Sequence, residues 1–232
     1  MTLLLDGVRQ ALGLLVEGDG EIWSILWLSL EVSGSATLIS LLLGVPAGTA
    51  LALTRFPGRG LVVSAVNSGM GLPPVVVGLF VTILLWRSGP LGALEILYTP
   101  AAIVVAQAVI ASPIVTGITL AAVQQVPREF RLQLLALGAS RVQMVWTVLR
   151  EARLPMLAAV MAGFGGVISE IGASMMVGGN IKGQTRTLTT AMVLETSKGD
   201  FDVAIALSLL LLALVFLVNW ALTSIQQRRA AG

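Results

Sequence analysis

Five threonines crowd one stretch of this chain, GQTRTLTTAMVLET, at Thr185, Thr187, Thr189, Thr190 and Thr196. Hydroxyls and the free amides at a helix N-terminus donate hydrogen bonds without a fixed charge, and together they can hold an oxyanion loosely. A solvated loop with interfacial threonines accounts for the same residues with no ion. Upstream, Glu170 is the one acid inside an apolar stretch of spanning length. An ionisable group at membrane depth is costly and by default a functional suspect. Were an anion to pass here, a carboxylate would repel it, and Glu170 would then be structural, hydrogen-bonded to neighbouring backbone or hydroxyls or lying near Arg186. The chain has no His and no Cys, which removes the usual general base, the commonest metal ligand and thiolate chemistry. The remaining acids are scattered, so a membrane enzyme has little support. No G-x-x-x-x-G-K-[ST] loop occurs, and this chain is not expected to hydrolyse ATP itself. No Lys or Arg lies in the middle of an apolar stretch. A tight anion site is therefore not expected within the membrane, and a conducting path must in any case bind weakly enough to release its ion.

The elements that position these residues are set by composition. Residues are 56% hydrophobic and 11% charged, against about a quarter charged in soluble domains, which indicates one integral membrane domain. The net charge of +2 is too small to suggest nucleic acid. A bilayer-crossing helix needs roughly 20 apolar residues. Val32 to Leu53, Leu61 to Trp86, Ala101 to Val123, Leu154 to Val177 and Val203 to Leu222 qualify, which predicts an all-α protein with five transmembrane helices. Residues 1–21 carry Leu4, Val8, Leu12 and Leu15 at helical spacing among charges, the pattern of an interfacial helix lying on the membrane. Trp23 and Trp27 suit the headgroup layer that follows. One side of the membrane would hold Arg55, Arg59, Arg128, Arg131, Arg141, Arg150, Arg153, Arg228 and Arg229. The other would hold Arg9, Arg87, Lys182, Arg186 and Lys198. The first side is thus expected to be cytoplasmic, with the N-terminus outside and the C-terminus inside.

Pro73 and Pro74 interrupt the second stretch and Pro113 the third. Proline removes a helix hydrogen bond and kinks the helix. Such breaks at membrane depth either serve packing or line a cavity. Gly44 and Gly48, four apart, permit close helix packing, as do Ser169 and Ala173. Gly178 and Gly179 end the fourth stretch, Asn180 to Thr185 turns, and Thr187 to Thr196 can form a short helix.

The segment 125–153 is different in kind, charged and yet patterned with Leu134, Leu135, Leu137, Val142, Val145, Trp146 and Leu149. A positive-inside anchor needs only the arginines. The apolar surface points instead to a docking site for a protein partner, and Gly138 predicts two short helices meeting at a bend.

ALGAS followed by a basic-aromatic helix and Leu-Pro resembles the cytoplasmic loop of bacterial ABC importer permeases. Leu132, Gln133 and Leu134 stand where that family begins Glu-Ala-Ala, and Leu154-Pro155 falls later than in the family pattern. LPPVVVGL (72–79), ASPIVTGI (111–118) and SEIGASMMVGGNIKGQTRTLTTAMVLETSKGDF (169–201) resemble the molybdate and tungstate branch, and the last of these the tungstate permeases in particular.

The resemblance implies the five-helix core of a type I ABC importer permease, acting as a homodimer with two ATPase subunits and an extracytoplasmic oxyanion-binding protein, in contact with membrane lipid. ATP and Mg2+ would be bound by the ATPase, with no cofactor or metal in this chain. It implies a coupling surface at Leu135, Leu137, Gly138, Ala139, Ser140, Val142 and Trp146. A translocation path or gate is expected from Pro73, Pro74, Pro113, Ser169, Glu170, Ser174, Asn180, Thr185, Thr187 and Thr190, with residues 178–202 as an external gate loop. The expected cargo is a tetrahedral oxyanion, tungstate before molybdate. A stand-alone secondary transporter or channel is the rival reading, and it leaves the apolar charged loop without a role.

Overall fold

Backbone amides away from water must bond within their own segment, so apolar runs of this length become helices. A computed structural model of the chain describes residues 13 and 20–230, and every regular element among them is helical. The helices are α1 (Gly20–Leu53), α2 (Arg59–Met70), α3 (Pro74–Leu85), α4 (Pro100–Gln124), α5 (Arg128–Ala136), α6 (Arg141–Glu151), α7 (Arg153–Ile168), α8 (Gly172–Gly178), α9 (Leu188–Lys198) and α10 (Phe201–Ala230). The interfacial helix expected over 1–21 falls outside the described residues, apart from Gly13 and from Gly20 and Glu21, which open α1.

Helices α1, α4 and residues Phe201–Ser224 of α10 are each long and apolar enough to cross a membrane. Two bent pairs bring the number to as many as five: α2 with α3, turned by 103°, and α6 with α7, turned by 69°. The second expected span is thus a bent pair, and the fourth is divided by residues 169–171 into α7 and α8. The first begins earlier than Val32, because Glu21 and Glu31 are good helix formers and do not end the helix. At 34 residues α1 is about 50 Å long, more than the ~30 Å hydrocarbon core. Its first turns present Trp23 and Trp27, 52% and 70% exposed.

Helix α1 packs along α4 at the centre of the bundle. Two glycines make the approach possible. A β-carbon on Gly44 would lie 2.8 Å from Val115 Cγ1, and one on Gly48 would lie 2.5 Å from the Thr116 carbonyl oxygen. Hydroxyls on the buried side of α1 return to their own helix: Ser29 donates to the Ile25 carbonyl, Thr37 to Ser33, Ser40 to Ala36 and Thr49 to Val45, at 2.7–2.8 Å. This local bonding satisfies these α1 hydroxyls in the seam; Thr119 Oγ1 of α4, buried beside Gly48, is left without a partner.

Three apolar clusters surround that seam. Val77, Val81 and Leu85 of α3 meet Ile103, Ala106 and Ile110 of α4 and Val177 of α8. Ile22 and Ile25 of α1 meet Leu188 and Ala191 of α9 and Leu207 and Leu210 of α10. At the arginine-rich end, Ala122, Val123 and Val126 pack against Val148 and Ala152 and seat α6 on the bundle.

Candidate functional site

Pro113 leaves α4 continuous from Pro100 to Gln124. Its ring lies under α2, where a β-carbon on Gly69 would be 2.8 Å from Pro113 Cβ. Pro73 and Pro74 do break their span. Proline is compatible with the first turn of a helix, where its missing N–H has no partner to lose. Pro74 accordingly starts α3, and the Pro73 carbonyl accepts from Val76 and Val77 at 2.9 and 3.3 Å.

The second break, at Ser169-Glu170-Ile171, lies against the first. A β-carbon on Gly172 would meet Val75 Cγ2 at 2.6 Å, and one on Gly78 would meet Ala173 Cα at 2.7 Å. The starts of α3 and α8 therefore cross in direct contact. Glu170, 7% exposed, caps α8: its carboxyl oxygens accept from the Ala173 amide at 3.1 and 3.2 Å and from the Ser174 amide at 3.4 Å. Of the two surroundings considered for Glu170, the backbone is the one found. Arg186 pairs instead with Glu21 of α1 at 3.4 Å, beside a Lys182–Glu21 pair at 2.6 Å.

Gln107, which local sequence gives no reason to single out, completes the break. Buried in α4, it donates from Nε2 to the Val167 carbonyl at 3.0 Å and to Ser174 Oγ at 3.4 Å. Val167 is at the end of α7, where carbonyls lose their helical partners. Ser169 is exposed and donates back to the Gly165 carbonyl at 2.6 Å.

Beyond α8 the chain turns at Gly179 and Asn180, both with positive φ (71° and 52°). Thr185 Oγ1 donates to the Gly178 carbonyl at 2.5 Å and accepts from the Ile181 amide at 2.9 Å. Asn180 Nδ2 donates to the Thr190 carbonyl at 3.2 Å. Thr187 caps α9 reciprocally with Thr190, whose Oγ1 accepts from the Thr187 amide at 2.9 Å. The Leu188 amide donates to Ser29 Oγ of α1 at 2.8 Å, and Thr189 Oγ1 donates to the Glu170 carbonyl at 3.0 Å. Thr185, Thr187, Thr189 and Thr190 are all at most 3% exposed. Their hydroxyls thus tie the loop and the start of α9 to α8 and to the Glu170 break inside the protomer instead of lining an open surface of it, while the Leu188 amide makes the bond to α1. Glu170, Ser174, Asn180, Thr185, Thr187 and Thr190 belong to one contiguous polar region. Pro73 and Pro74 adjoin it through Val75, while Pro113 and Ser169 lie outside it.

At the arginine-rich end the segment after α4 forms the two short helices expected around Gly138. Helix α5 closes with the Ala139 amide donating to the Leu134 carbonyl at 3.0 Å and the Gly138 amide to Leu135 at 3.1 Å. This is a Schellman closure, which places Gly138 at φ 86°. Ser140 then caps α6 with Gln143, each accepting from the other's amide, at 2.8 and 3.3 Å. With Val148 anchored in the bundle, the opposite surface is left bare: Leu137 is 86% exposed, Val142 79%, Trp146 69% and Leu135 41%. Gly138 and Ser140 are exposed between them and Ala139 is half-buried.

Comparison with known proteins agrees with this architecture. The chain shares its fold with a solved chain of the MetNI methionine ABC transporter in an inward-facing conformation, at a TM-score of 0.74 and 21% identity over 90% of this chain and 98% of that one. It is 38% identical over 227 residues to the tungstate uptake system permease protein TupB of Peptoclostridium acidaminophilum, covering 98% of this chain and all of that one. It is 43% identical to a probable anion ABC transporter permease protein of Haloferax volcanii, over 84% of this chain and 87% of the relative. The molybdenum transport system permease protein ModB of Escherichia coli K12 is 29% identical over 90% of this chain and 96% of its own length. Residues 41–231 match the family described as the binding-protein-dependent transport system inner membrane component; with broken helices at depth and a bare apolar surface on a charged loop, the chain belongs to that family of ABC importer permeases.

Proposed function

We propose that this chain is the transmembrane subunit of an ATP-driven importer of a tetrahedral oxyanion, tungstate first and molybdate second. The observation that carries the anion is full-length similarity to permeases named for tungstate uptake, with those named for molybdenum transport at lower identity. Two copies would enclose the path. Two ATPase subunits binding ATP and Mg2+ would sit on the arginine-rich face, which is taken as cytoplasmic. An extracytoplasmic binding protein would deliver the ion at the other, with the N-terminus on its side and the C-terminus inside.

Motion of the ATPases would enter through Leu135, Leu137, Gly138, Ala139, Ser140, Val142 and Trp146, within the coupling segment 125–153. The bare apolar surface there supports this reading, since exposed patches of that kind mark protein interfaces. From α6 the motion passes to α7 through their 69° junction and so to the break at Glu170. The gate would be the segment 178–202, whose threonines fix its shape through internal bonds. A stand-alone transporter working through a charge relay is disfavoured, because the oxygens of Glu170 are engaged by the amides of α8.

The test of the cargo is ATP hydrolysis by the assembled complex in proteoliposomes, with binding protein presaturated with tungstate, molybdate or sulfate. Tungstate is expected to stimulate hydrolysis most. Stimulation by sulfate alone would refute the assignment.

A further inference from the structure

The segment 178–202 is fastened at two levels of different strength. At its base the bonds are buried and complete: Thr185 ties the loop to the end of α8, and the Leu188 amide donates to Ser29 Oγ of α1. At its tip the fastening is ionic. Glu21, in the first turn of α1, places one carboxyl oxygen 2.6 Å from Lys182 Nζ and the other 3.4 Å from Arg186 Nη1. Among the described residues these are the only ion pairs that join two elements, since Lys198 and Glu195 lie on one turn of α9.

The ionic contact is too exposed and too incomplete for a structural anchor. The side chains of Lys182 and Glu21 are 69% and 37% exposed, and ion pairs open to solvent contribute little to stability. Arg186 has five donors to place, gives Glu21 a long bond and keeps its Nε buried without a partner. A settled polar network satisfies every member. Beside the tip there is room. A cavity of about 430 Å³ lies between the first turns of α1 and residues 182–186, with Ser24 on one wall and Gln184 on the other. Glu31 also lines it and would repel an anion, so the cavity is space for movement and not a resting place for the ion. Gly183, next to Lys182, has φ 73° and open space around it. A glycine there absorbs a change of backbone direction at little steric cost.

We infer that Glu21, Lys182 and Arg186 form a clasp that holds the tip of the gate segment against α1 and opens in each transport cycle. This rests on the reading of the chain as an ATP-driven oxyanion permease with its gate at 178–202, and adds what keeps that gate closed while no loaded binding protein is present. The strength suits the task. A solvent-exposed ion pair biases a two-state equilibrium by a factor of about two to five, enough to hold a gate at rest and too little to lock it. All three are positioning residues, and none has to touch the ion.

The chain contains no cysteine, so an engineered pair is cross-linked without background. The complete complex is assembled with Lys182→Met, Glu21→Gln, both together, or Ser24→Cys with Gln184→Cys. Without binding protein or oxyanion, Lys182→Met and Glu21→Gln should each raise ATP hydrolysis by about two- to fivefold, and the double variant should exceed neither, as for two halves of one contact. Joining Ser24→Cys to Gln184→Cys with a short bifunctional thiosulfonate should cut uptake at least about tenfold, as expected of a gate that must move, and reductant should restore it. Native uptake in the cross-linked complex, an effect of Lys182→Met without one of Glu21→Gln, or additive effects in the double variant would overturn the inference. A clasp that responds as expected in a complex moving sulfate and no tungstate would refute the cargo assignment and leave the clasp in place.

Discussion

Replacing Glu170 with leucine strands the start of α8. The amides of Ala173 and Ser174 lose their carboxyl acceptors, at 3.1–3.4 Å in the native chain. The first amides of any helix find no partner within it, so those of α8 depend on this cap. A buried donor left without an acceptor costs about 1–3 kcal/mol, so two of them cost about 2–6 kcal/mol. Glutamine keeps one carbonyl oxygen at the same reach and should cost about 1–2 kcal/mol. At roughly 2–4 °C per kcal/mol for a chain of this length, Glu170→Leu should melt well below Glu170→Gln, which should melt just below the native protein. The assay is thermal unfolding of the purified permease in detergent, followed by monodispersity after heating. Equal losses for Gln and Leu would show that the charge matters and not the capping geometry. A leucine variant as stable as the native protein would show that water reaches these amides.

Other variants probe the remaining contacts. Gly138→Pro cannot adopt φ 86° and deletes the amide that closes α5, and Ala139→Glu places a charge on the proposed docking surface at a cost of several kcal/mol by order of magnitude; both should abolish co-purification of the ATPase while leaving membrane insertion intact, as read by affinity pull-down. Gly48→Val should destabilise by about 3 kcal/mol or more because its β-carbon meets the Thr116 carbonyl backbone, whereas Gly34→Ala, with open space around it in the interior of α1, should stabilise by up to about 1 kcal/mol in the same melting assay. Thr190→Val removes the acceptor for the Thr187 amide and should slow uptake of labelled tungstate without altering the affinity of the binding protein.

Local signals in the sequence are strong enough for some of this and not for the rest. Gly138 between two helix-forming runs is readable as a bend because only glycine enters the left-handed region freely. The prolines look alike as interruptions and behave differently. Pro74 sits at a helix start, beside Gly71 and Pro73, and the span breaks there; Pro113 lies within a helix held on both sides by α1 and α2, and α4 runs through it. The interruption at Ser169-Glu170-Ile171 is hidden in an apolar run. What holds it open is Gln107, 60 positions away from the carbonyl it caps, and no periodicity reports such a bond. The threonines of 185–190 are legible as hydrogen-bonding groups, but their partners on α8 and at Glu170 are tertiary. Hydroxyl density therefore suggests an open surface where the fold has a packed joint. Family wording in 169–201 identifies the class of transporter more directly than any of these patterns.

The central claim is that this chain moves an oxyanion only when driven from its arginine-rich face by a separate ATPase. The measurement is uptake of labelled tungstate into proteoliposomes containing the permease, with the ATPase, the binding protein or ATP omitted in turn. Uptake is expected only when all three are present, and is expected to vanish with Ala139→Glu even though the binding protein still takes up its ion. Tungstate accumulation by the permease alone, or undiminished uptake in Ala139→Glu, would contradict the account.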